Sequence, residues 1–111
     1  MGSHSAVASE VLGDTFVESV LDDWRSAPID QKLRTTLEFL EKLTLAPGEI
    51  GRDDIAPMRK AAVSDQAIED AIYVCTYFNI IDRIADSLDF EVLSSETFAQ
   101  RAGNFLREGY L

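Results

Sequence analysis

The segment that most limits what this chain can become runs from Asp65 to Leu88. Ala67, Ala71, Val74, Phe78, Ile81, Ala85 and Leu88 recur there at steps of four and three residues. That spacing marks one face of an α-helix, because side chains three and four apart stand on the same side. Ile68, Ile72, Tyr73, Cys75, Tyr77, Ile80 and Ile84 widen the apolar surface almost all round. A helix that is apolar all round is a buried one. A narrow 4-3 seam also suits close packing against another helix. In a chain of 111 residues, burying both sides of one such helix calls for a second subunit.

The remaining segments read as helices too. Val7, Ala8, Val11 and Leu12 form one face between Ser3 and Leu12, and Gly13 is placed to end that helix in a left-handed conformation. Asp14 is the expected cap of a second helix reaching about Trp24, with Phe16, Val17, Val20, Leu21 and Trp24 as its stripe. "SAPID" breaks the pattern at Pro28. Asp30 is placed to cap a third helix to Leu45, striped by Leu33, Leu37 and Leu40. "APGEIGRDD" is a loop, and a short helix of about 53–62 points Ile55 and Met58 inward. Ser64 or Asp65 caps the long helix. A last helix from about Ser94 to Glu108 carries Phe98, Ala102, Phe105 and Leu106. No strand alternation competes. The fold class is all-α, about six helices, in one domain spanning 1–111.

Charge narrows the partners. Twenty acidic residues against ten basic ones leave a net charge of −10. Nucleic acid binding needs clustered Lys and Arg, and anionic membranes attract the same residues, so neither is expected. No apolar run is long enough to span a membrane, and no secretory signal pattern opens the chain. Cys75 is the single cysteine, which rules out an internal disulfide and points to a reducing cytoplasm.

Few residues offer chemistry. His4 is the only histidine; it stands one turn before Ala8, toward the apolar side, and could relay protons near neutral pH. Alternatively it is a tag remnant or an ordinary helix-end residue. Asn79, Asp82, Arg83 and Asp86 share a face that continues back through Cys75, Ile72 and Ile68. They read either as a cleft wall aiming Asn79 and Arg83 at a ligand, or as an Arg83–Asp86 ion pair plus a helix-to-helix hydrogen bond from Asn79. Cys75 has neither a helix N-terminus nor a cation beside it in sequence, so it reads as a small buried hydrophobe. No acidic pair has metal-ligand spacing, and a lone histidine weakens any zinc site. No phosphate-binding glycine loop or Ser-His-acid signature occurs, and neither cofactor nor metal is expected.

The order of segments carries more. "LEFLEKLT", a loop, "DDIAPMRKAAVSDQAIEDAI" and "YFNIIDRIADSL" together resemble the carboxymuconolactone decarboxylase/alkylhydroperoxidase D-like superfamily, in its peroxidase-related branch. Phe78, Asn79, Arg83, Ala85 and Asp86 match that branch's pattern; where it usually has glycine before the serine of the long helix, this chain has Val63. The resemblance covers about Gly2 to Phe90. It implies an all-helical protein that assembles into trimers or hexamers, so self-association from dimer to hexamer is expected.

The branch's active motif is Glu-x-x-Cys-x-x-Cys-x-x-x-His followed by a small-residue helix. His4, Ser5, Ala6, Val7 and Ala8 fit its last part. Two readings of the opening "MGSH" therefore stand: a cloning remnant, or the interior of a motif cut just after its second cysteine. In the second, His4 is the catalytic proton relay, and the cysteines that would reduce a hydroperoxide with a thiol reductant are absent from this chain. The expectation is an antioxidant thiol-peroxidase family member that is inactive as given. The alternatives are a non-enzymatic helical oligomerisation or binding module, and a cysteine-independent decarboxylase-like activity with His4 as acid or base.

Overall fold

The computed structural model describes residues 3–91 and 93–109; Met1 and Gly2 of the opening stretch lie outside the described residues. The described residues form six α-helices: α1 (Ser3–Leu12), α2 (Asp14–Asp23), α3 (Gln31–Leu45), α4 (Ala56–Lys60), α5 (Asp65–Ser87) and α6 (Ser95–Glu108). Two 3₁₀ turns, Pro47–Glu49 and Arg52–Asp54, occupy the loop between α3 and α4. No strand occurs among the described residues, so the chain is all-α. It divides into two compact units: residues 1–28 with 91–111, and residues 29–90.

In the first unit α1 packs mainly on α6 and also on α2. Ala6 of α1, Ala102 of α6 and Val17 of α2 are buried. Alanines at such contacts let helix axes approach closely. Gly13 joins α1 to α2 with φ 89° and ψ 148°. The positive φ is the one expected; the ψ lies outside the left-handed helical well, in a region essentially confined to glycine. This corrects the capping expectation. Gly13 itself is the N-cap, and Asp14 enters the first turn, where its charge favours the helix dipole without a capping hydrogen bond. After α2, Asp23 holds the break: its carboxylate accepts from the Ser26 hydroxyl at 2.7 Å and the Arg25 amide at 3.1 Å. Those bonds, the one from Ser26 foremost, hold its carboxyl below the usual 3.8.

In the second unit the caps fall where the sequence places them. Asp30 accepts from the Leu33 amide at 2.8 Å and Ser64 from the Ala67 amide at 3.0 Å. Each satisfies one of the donors that a helix start leaves without an intrahelical partner. Met58 of α4 is fully buried, between Phe39 of α3 and Ile68 of α5. Leu40, Leu43, Ile50, Ile55, Val63 and Ile72 close round this core. α4 ends in a Schellman turn: the Val63 amide donates to the Met58 carbonyl at 2.9 Å and the Ala62 amide to Arg59 at 3.0 Å. Its left-handed position falls on Ala62, at φ 66°, where glycine is the usual occupant. Lys42 of α3 clamps the loop by an ion pair to Asp54 at 2.6 Å, and Asp54 also accepts from the Gly51 amide at 2.7 Å.

Within one chain the long helix is largely uncovered. Only Ile68 of α5 is buried, and Val74, Ile81 and Leu88 of the 4-3 seam are 56%, 39% and 65% exposed. The face that meets α3 is the other one, running through Ile68, Ile72 and Cys75. Thr44 touches Cys75 one residue before α3 ends at Leu45. Beyond that contact α5 runs on for about 18 Å, at 1.5 Å per residue, past the helix it packs against.

Candidate functional site

His4 sits in the first turn of α1, exposed, on the side where α1 meets α6. It lines an open groove of about 540 Å³. Val7, Val11 and Leu12 of α1 form one wall, and Phe98, Ala102 and Phe105 of α6 the other. The period-3.6 stripe of each helix produces these walls, because positions 4, 7, 8 and 11 share a side of α1 and 98, 101, 102 and 105 share one of α6. Arg101 is the second polar residue of the lining.

Asn79 and Arg83 lie in the other unit, on the part of α5 beyond α3. Asn79 donates from Nδ2 to the Cys75 sulfur at 3.5 Å, and Thr44 Oγ1 stands 3.5 Å from the same sulfur. The bond expected from Asn79 to a second helix is therefore a bond within α5, one turn back. Arg83, Asp82 and Asp86 are exposed, and among the described residues no ion pair joins Arg83 to Asp86. These residues follow the packed stripe of Ile68, Ile72 and Cys75 into the stretch where α3 has run out.

Cys75 is half-buried in mid-helix. The groups hydrogen-bonded to its sulfur are a neutral amide and a neutral hydroxyl. Activated cysteines draw on a helix N-terminus or a neighbouring cation, and neither is among those partners. A thiol in this setting is a weak hydrogen-bonding spacer between α3 and α5. No three His, Cys, Asp or Glu side chains among the described residues converge as metal ligands. No described helix is long and apolar enough to cross a membrane.

Two features escaped the sequence reading. Thr44 is separated from Cys75 by 31 positions, and nothing local marks the pair. Arg101 does have a local signal: it interrupts the apolar stripe of α6 between Phe98 and Ala102. Compared with known proteins, the chain matches no family model and no curated protein.

Proposed function

We propose that this chain is a self-associating helical module of the alkylhydroperoxidase D-like, peroxidase-related kind, cytoplasmic, and without hydroperoxide turnover of its own. The observation that carries self-association is the bare face of α5. Tyr73, Tyr77, Ile80, Ile84 and Leu88 follow one another at 4, 3, 4 and 4, and all are between 48% and 65% exposed. Val74 and Ile81 flank them, so the stripe is more than 100° wide, the width of a face that packs.

Magnitudes set the terms of the test. Full burial of an aliphatic side chain is worth about 1.5–3 kcal/mol, so a half-exposed one still has about 1 kcal/mol to gain. Five aliphatics and two tyrosines give roughly 7 kcal/mol for each copy of the face, or about 14 for two facing copies. Association costs roughly 4–15 kcal/mol. The difference spans about −1 to 10 kcal/mol, and the upper part of that span corresponds to millimolar to sub-micromolar affinity. Sedimentation velocity and light scattering across that range should show a concentration-dependent dimer or higher oligomer. Ile80→Asp with Ile84→Asp should give a folded monomer, since both positions are exposed. A wild-type monomer throughout would defeat the proposal.

The catalytic half of the reading rests on Cys75. A single thiol with neutral partners has no second thiol to resolve a sulfenic acid. Loss of a hydroperoxide in the presence of a dithiol reductant should stay at the uncatalysed rate. Turnover that vanishes in Cys75→Ser would overturn this.

A further inference from the structure

The groove between α1 and α6 is a different surface, with a chemistry of its own. Its volume of about 540 Å³ falls within the roughly 300–1,000 Å³ range of small-molecule sites. Its walls are aliphatic and aromatic, with Val11 and Leu12 still 66% and 57% exposed beside it. Among the described residues its polar lining is His4 and Arg101, and no carboxylate lines it. In a chain with twice as many acids as bases, that local balance is inverted. Among the described residues no hydrogen bond or ion pair engages the Arg101 guanidinium, and acidic residues stand at neither three nor four positions from it on α6.

We propose that this groove binds the alkyl chain of an amphiphilic carboxylate, with the Arg101 guanidinium on the head group. The apolar walls gain by covering the chain, and the arginine fork matches a carboxylate with two parallel donors. Among the described residues an alkylammonium head would meet Arg101 and His4 as polar groups, and no acceptor carboxylate. The net charge of −10 does not overrule this, because at physiological salt its field is screened over about 8 Å while the head group sits in contact with Arg101.

The test is isothermal titration of the full chain with dodecanoate, dodecanol and dodecyltrimethylammonium, each below its micelle concentration. Dodecanoate should bind saturably and more tightly than either of the others. Arg101→Gln should weaken dodecanoate about fivefold, the upper range for an exposed ion pair, and leave dodecanol unchanged. Val11→Asp, at an exposed position that keeps the fold, should remove binding of both. The Ile80→Asp/Ile84→Asp protein should bind dodecanoate as the wild type does, because the groove belongs to other helices. Absence of saturable binding, equal loss of acid and alcohol in Arg101→Gln, or a preference for the cationic head would overturn the proposal. So would an affinity that falls as protein concentration rises, which would give the groove to a second copy of the chain.

Discussion

Met58→Ala tests the core of the second unit most directly. Met58 has no exposed surface, although its helix is only five residues long. It lies against Phe39 and Ile68, each 5% exposed, inside a ring of half-buried aliphatics. Truncation removes three heavy atoms beyond the β-carbon from a site that three separate segments enclose. Buried methionine-to-alanine changes cost about 2–5 kcal/mol, from lost transfer energy plus the cavity left behind. The surrounding Leu40, Leu43 and Ile72 are on helices fixed by their own caps, so collapse into the space is restricted, and a cost of about 3 kcal/mol is expected. For a unit of about 60 residues that lowers Tm by roughly 12–24 °C. Met58→Leu, of similar volume, should cost less than about 1.5 kcal/mol. Urea unfolding followed by far-UV circular dichroism gives both values, with equal m-values as the check that the same transition is compared. A cost below about 1 kcal/mol for the alanine, or one no larger than for leucine, would refute the reasoning, because Met58 would then not be enclosed as described.

Other outcomes follow from single features. Ala62→Gly should raise stability by about 0.5–1 kcal/mol in the same urea assay, since the left-handed position after α4 penalises a β-carbon by more than glycine's added freedom costs. The pair between Lys42 and Asp54 should shape the acid limb of stability. The Lys42 ammonium, and after it the Gly51 amide, hold the Asp54 carboxyl below its ordinary 3.8. A lowered carboxylate stabilises the fold above its unfolded value, and that contribution is lost as pH falls through the folded one. Stability should therefore drop below about pH 4, and Asp54→Asn should flatten that part of the pH profile.

Much of the fold was legible because its signals are local. Asp30 and Ser64 announce helix starts through chemistry that operates within three residues. Met58 of α4 and Ile55, the residue that precedes α4, face inward as their spacing requires. Where the reading went astray, a distant fact decided. Periodicity says which residues of α5 share a face, but not which face meets a neighbour. The 4-3 seam is the more regular pattern, yet Ile68, Ile72 and Cys75 make the contact because α3 arrives on that side. For Asn79 and Arg83 the spacing leaves two readings, a cleft wall or structural pairing; past the end of α3, Arg83 is exposed and Asn79 has its sulfur partner one turn back. At Gly13 the glycine itself caps α2, so the neighbouring Asp14 has no capping bond to make.

The unequal lengths of α3 and α5 have a consequence for how the chain holds its shape. The last dozen residues of α5 are supported in their own unit by little beyond intrahelical bonds. A helical segment of that length is marginal in water when nothing lies against it. Helix order along α5 should then be graded: firm where Met58 and Phe39 grip Ile68, and looser in the stretch past Thr44. Covering the bare stripe would remove that gradient, so amide hydrogens from Thr76 onward should exchange more slowly as protein concentration rises, while those near Ile68 keep their rate.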